Sequence, residues 1–259
     1  MKLRLNFKVN PYYLLASYFD YYENIFWWDP EKYDDFLKVK RFPKFLYQSF
    51  WLRENKRIFL KVNNKRSLKQ LFNLLYKNSR ELFNKILESK EFKKFLKETE
   101  DYSQWLENEW NLKKDIVLKN LEDITGLKII DKNLNVDVFV VKPPLKGGFV
   151  IPHKKIIVWG HSEDWSNYSI VYLCHELLHI LTYKKYKHPN LMHALIELAT
   201  DNELRIRLNG GKYPPFVGHS YLENIKKKIY PIWKQYLNKK LKVKDIIELE
   251  ELILRKKII

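Results

Sequence analysis

The sequence predicts an α+β protein, mainly helical, on three observations. Residues 2–9 alternate strictly between polar and apolar, the period of a half-buried strand. Apolar residues then recur at helical spacing through most of the chain up to residue 127. Beyond that point short β-branched runs punctuated by Gly and Pro precede a second set of helical patterns, so a small sheet sits between two helical stretches.

The elements follow in order. Leu3, Leu5, Phe7 and Val9 share one face of the first strand, opposite Lys2, Arg4, Asn6 and Lys8. Residues 12–28 predict an aromatic-rich buried helix closed by Asp29-Pro30, with further helices at about 31–38 and 44–60. Asn63-Asn64 marks a turn, and Ser67 caps a helix to about Asn78, whose period continues through Leu82, Phe83, Ile86, Leu87, Phe92, Phe95 and Leu96. A helix over 102–125 stops at Gly126, because glycine accepts the left-handed conformation that ends a helix. Residues 136–141 predict a strand ended by Pro143-Pro144. Gly147-Gly148 turns into 149–151, and 154–159 forms another strand. A helix beginning at Ser166 or Asn167 and reaching about Tyr186 buries Ile170, Leu173, Cys174, Leu177, Leu178 and Leu181. His188-Pro189-Asn190 breaks it; the next helix begins near Asn190 and ends at Asn209-Gly210-Gly211. Two more are expected at 221–238 and 243–256. The change of texture divides the chain into a mainly helical region, 1–127, and a second region, 128–259.

Composition narrows the function classes. A hydrophobic content of 46% with 15% aromatics belongs to a globular chain, not a disordered one. The net charge of +17 invites a nucleic-acid partner, but residues 1–128 carry +8 and 129–259 carry +9, with no compact basic motif. Nucleic acid is therefore not favoured. The single cysteine, Cys174, excludes intrachain disulfides and suits a reducing compartment. No segment approaches the roughly 20 apolar residues of a membrane span, and the first residues lack the apolar core of a signal peptide. A soluble, cytoplasmic protein is expected.

All 7 histidines lie between His153 and His219, which makes the second region the chemical one. His175-Glu176-Leu177-Leu178-His179 sits on a helix, where positions four apart share a face, so two imidazoles can meet one zinc ion. Glu176 then stands beside the metal, able to take a proton from a bound water. A catalytic zinc normally needs a third protein ligand. In the following helix His193, Glu197 and Asp201 recur every four residues, and Glu197 is the expected ligand. Asp201, one turn on, is expected to accept a hydrogen bond from a ligand histidine and fix its tautomer. Glu203 lies about 240° around the helix from Glu197 and cannot face the same metal. The plain alternative pairs Glu197, Asp201 and Glu203 with Arg205 and Arg207 on a solvated face.

These residues resemble the gluzincins, the zinc metallopeptidases of the thermolysin type, whose HExxH helix is followed by a helix carrying Glu-x-x-x-Asp. The resemblance spans about 105–210. It implies a zincin-like core of small sheet, active-site helix and glutamate helix, a Zn2+ cofactor and peptide-bond hydrolysis with Glu176 as general base. It also implies that the strand at 154–159 pairs with extended substrate at the sheet edge, and that a Tyr or His stabilises the oxyanion. His219 and Tyr221, with Tyr213, are the candidates. SprT-like proteases, which act on DNA-bound proteins, offer a second resemblance with a histidine as third ligand, His188 or His193. A third reading is a non-enzymatic metal-binding or regulatory protein, with His153, His161 or His193 closing the metal shell. The substrate in the favoured reading is a peptide or protein.

Overall fold

Backbone pairing begins at the first strand, β1 (Arg4–Lys8), where Leu5 is buried and the flanking polar side chains are not. The computed structural model describes residues 3–15, 17, 56–61, 65–72, 84, 87–143, 147–211 and 218–259. The helices expected over 12–28, 31–38 and 44–60 lie largely outside them, as do the Asn63-Asn64 turn, Asn78, Leu82, Phe83, Ile86, Pro144 and Tyr213. The described elements are β1, a 3-10 turn at Lys56–Lys61, α1 (Lys65–Phe72), α2 (Lys90–Thr125), β2 (Asn135–Val140), β3 (Gly147–Ile151), β4 (Ile156–Gly160), α3 (Tyr168–Thr182), α4 (Pro189–Glu197), a π-helical turn at Leu198–Leu204, α5 (Arg205–Asn209), α6 (Glu223–Leu237) and α7 (Ile246–Arg255). The chain is thus mainly helical with one small sheet, as the sequence predicts.

Two compact units divide the chain. The first comprises Met1–Asn6, Trp105–Val138 and Gly148–Ile259, the second Phe7–Gln104 and Phe139–Gly147, so the division falls inside α2. Within the second unit Asn10 starts a helical turn by accepting from the Tyr12 and Tyr13 amides, both at 3.0 Å. Lys142 pairs with Glu98 and lies over the Phe95 ring, 4.9 Å from its centroid.

The sheet order is β1-β2-β4-β3. This corrects the expectation for residues 154–159. β4 lies between β2 and β3 and has no free edge, because its backbone groups are taken up by both neighbours; among the described residues β3 is the edge strand on that side.

In the first unit, β4 and the start of α3 are tied together by Trp159, whose indole N–H donates to Ser169 Oγ at 2.9 Å. Behind α3, the chain before α4 is held by Glu250 of α7, a fully buried carboxylate that accepts from the amides of Lys187 (3.0 Å) and His188 (2.7 Å). α7 itself is capped by Asp245, which accepts from the amides of Ile247 and Glu248. Gly126 ends α2 with φ +68, and a Cβ there would lie 2.0 Å from the Lys244 carbonyl oxygen, so only glycine fits. Among the described residues no helix is long and apolar enough to cross a membrane.

Candidate metal centre

α3 forms because its apolar positions cover most of its surface: Ile170, Leu173, Leu177 and Leu178 are wholly or almost wholly buried. The same burial draws in His175 and Glu176, 3% and 9% exposed. His179 follows one turn later, and the two rings stand with their Nε2 atoms 3.2 Å apart. α4 brings a third ring, His193, edge-on to both, with centroids 5.3 Å from His175 and 4.7 Å from His179. One nitrogen from each of the three lies within 4.8 Å of the others.

The anchoring of these rings turns their remaining nitrogens toward a common space. His175 Nδ1 stands 3.2 Å from Asp201 Oδ1, which also accepts from Thr200 Oγ1 at 3.0 Å. A neutral His175 that donates there has a bare lone pair on Nε2. His193 Nδ1 is 3.1 Å from the Tyr221 hydroxyl, and its buried Nε2 has no hydrogen-bond partner. His193 Nε2, with no hydrogen-bond partner, faces the His175–His179 pair, and the three nitrogens together could hold a cation. Tetrahedral zinc with Zn–N bonds of about 2.0–2.1 Å would separate its ligand nitrogens by roughly 3.3–3.4 Å, close to the His175–His179 spacing.

The electrostatics agree with that chemistry. Burial, reinforced by the charges of His175, His193 and His219, pushes His179 down to about 2. Burial and the charge of His175 push His193 down to about 4. Both rings are held neutral, the form that binds metal. At His175 burial acts downward, but the charges of Asp201, Glu176 and Glu197 and the Asp201 hydrogen bond outweigh it and raise the ring to about 9. A position that holds a proton among acids also favours a metal cation. Burial raises the Glu176 carboxyl above the usual range, against the pull of His175, which moves it toward a general base's working range.

Glu197 has different company. Its Oε1 accepts from the His219 amide at 2.7 Å and stands 2.6 Å from His219 Nδ1; Lys226 Nζ donates to Oε2 at 2.5 Å. Glu197 and Lys226 are both fully buried. Gly218, at φ +112, makes room for this carboxylate: a Cβ there would lie 2.4 Å from Glu197 Cδ. Among the described residues Glu197 groups with His193 and His219 and not with the His175–His179 pair. An ammonium already saturating one of its oxygens weakens it as a cation ligand.

The other sequence candidates are located as follows. His219 is half exposed, its ring 4.8 Å from that of His193; Tyr221 reaches His193 through its hydroxyl. His188 caps α4, its Nδ1 accepting from the Leu191 amide at 3.1 Å. Glu203 is partly buried, and burial raises its carboxyl. Cys174 is a free, fully buried thiol pushed upward by burial. Sequence reasoning missed Lys226, although Leu222, Ile229 and Trp233 mark an apolar stripe through it at helical spacing. It also missed Tyr172, whose ring lies 6.0 Å from that of His175 and 4.6 Å from Tyr168.

Fold and site together define an α+β protein with a partly buried histidine cluster beside a glutamate. Compared with known proteins, the chain matches no family model, no curated protein and no solved structure.

Proposed function

We propose that this protein is a zinc-dependent peptidase whose metal is held by three histidines: His175, His179 and His193. The observation that carries the proposal is the convergence of the three rings, with His193 Nε2 buried and without a hydrogen bond, beside the buried carboxyl of Glu176. Three imidazoles are a donor set that suits zinc. This is the histidine-ligand form of the chemistry the HExxH motif implies; Glu197 Oε1 lies 3.8 Å from His193 Nε2, but its other oxygen is taken by Lys226. Zinc, when bound, supplies Lewis acidity and a water that ionises near neutrality.

The chain's own residues do the rest. Asp201 fixes the His175 ring through Nδ1, with Thr200 holding Asp201 in turn. Tyr221 does the same for His193. Glu176 accepts the proton of the attacking water and returns it to the departing amine, work suited to a carboxyl raised by burial. His219, anchored on Glu197 by its amide and Nδ1, keeps its other ring nitrogen for the carbonyl oxygen as charge develops there. A peptide-library digest read by mass spectrometry tests the reading. Zinc-loaded protein should cleave, and Glu176→Gln should not. Absence of cleavage by the wild-type protein, or equal cleavage by both, rejects it.

A further inference from the structure

At the far end of α3 lies a second recess, of about 420 Å³, lined by Lys132, His153, Lys155, Lys184 and Lys185 over a floor that includes Leu134, Ile180 and Tyr183. Its size is that of a small-ligand site. Its lining holds four lysines and no carboxylate. Several surface lysines elsewhere pair with acids one helical turn away, as Lys97 does with Asp101, Lys227 with Glu223 and Lys244 with Glu248; here four converge on one recess with no acid in its lining. Among the described residues none of the four pocket lysines has an ion pair. Asp245 is the one acid whose charge registers at Lys132, and it also caps α7.

Like charges gathered in this way repel. Burial, and the neighbouring ammonium of Lys185, lower Lys132 below the usual lysine value. The negative end of α3 attracts cations to its last turn and accounts for Lys184 and Lys185. It does not account for Lys132 and Lys155, which arrive from the segments before β2 and before β4. Lys155 and Lys184 hold left-handed backbone, φ 54 and 63, each just past a helix end, which fixes the points from which their side chains start. Between the lysines, Tyr183 and His153 offer two rings with centroids 6.3 Å apart.

We propose that this recess binds a small phosphate-bearing anion, its phosphate oxygens on Lys132 and Lys185 and its apolar portion on the Leu134–Tyr183 floor. A multiply charged anion would satisfy several ammonium donors at once. Its lining includes none of the clustered histidines, though Ile180 follows His179 directly, and the proposal does not rest on the peptidase reading.

Titration calorimetry with pyrophosphate at low salt tests it. Saturable binding at one site is expected, weakened about tenfold or more by Lys132→Gln/Lys185→Gln, the loss of two charge-assisted contacts. Lys155→Gln/Lys184→Gln, confined to exposed side chains, should weaken it in the same direction. The control Lys97→Gln/Lys227→Gln removes the same net charge elsewhere and should leave affinity within twofold. Any extraction of zinc by pyrophosphate would be blind to all three pairs. No saturable binding, equal weakening by pocket and control variants, or binding of a dT12 oligonucleotide but not of pyrophosphate would overturn the proposal.

Discussion

Lys226→Met puts the buried Glu197 arrangement to a quantitative test. Both partners are fully buried, and Lys226 Nζ sits 2.5 Å from Glu197 Oε2. Removing the ammonium leaves a carboxylate in a dry interior with only the His219 donors, and breaking such a pair costs about 3–5 kcal/mol. For a chain of this size each kcal/mol lowers Tm by roughly 2–4 °C, so a fall of about 10 °C is expected. Replacing both partners, Lys226→Met/Glu197→Gln, removes the stranded charge and should recover at least half of that loss, because Gln still accepts from His219. Urea unfolding of the metal-depleted protein, wild type against the two single variants and the double, measures the coupling. A Lys226→Met cost below about 1 kcal/mol, or strictly additive losses, would mean that Lys226 does not hold Glu197.

Glu176→Gln should lower peptidase turnover by about 10²–10⁴-fold, the usual contribution of a general base, while zinc content by plasma mass spectrometry stays at the wild-type level. Metal-depleted protein should lose stability on both sides of neutrality. His193 is depressed to about 4, so its contribution is complete above its unfolded value of about 6.5 and is lost as pH falls toward 4; His175 is raised to about 9, so its contribution is complete below about 6.5 and is lost as pH rises through 9. Urea midpoints between pH 4.5 and 9.5 check this; His193→Asn should make the acid limb shallower without removing it, because His179, depressed to about 2, still contributes there, and should leave the alkaline limb in place. Gly126→Ala should destabilise by more than about 1 kcal/mol, since φ is +68 and the new Cβ meets the Lys244 carbonyl; a calorimetric Tm equal to wild type would contradict that steric account.

Much of the first unit was legible because its signals are local. The alternation at residues 2–9, the glycine stop at Gly126 and the apolar face of the HExxH helix each depend on neighbours in sequence; β1 and the HExxH helix stand within a few residues of their expected spans, whereas the helix that ends at Gly126 begins at Lys90, twelve residues before its expected start. The strand order was not legible, since which strand takes an edge is decided by pairing between distant segments. The helix at 189–209 shows a subtler limit. A 3.6-residue period puts His193, Glu197 and Asp201 on one face, but the backbone widens to a π-turn at Leu198–Leu204. The extra residue resets the face: Asp201 meets His175, while Glu197 turns to Lys226 and His219. The expectation of Glu197 as third ligand rests on Asp201 at i+4 and the Glu-x-x-x-Asp pattern, which periodicity alone cannot weigh against His193 on the same face. Lys226, on the apolar stripe of α6, is the partner whose burial explains where Glu197 went.

Zinc affinity measured by competition on the wild type, His193→Ala and Glu197→Gln tests the three-histidine centre most directly. The account predicts about one zinc per chain in the wild type, a loss of more than about 100-fold in His193→Ala, beyond the range of an outer partner, and a loss within about 10-fold in Glu197→Gln. Stoichiometric, tight zinc in His193→Ala together with its loss from Glu197→Gln would contradict it and return Glu197 to the metal.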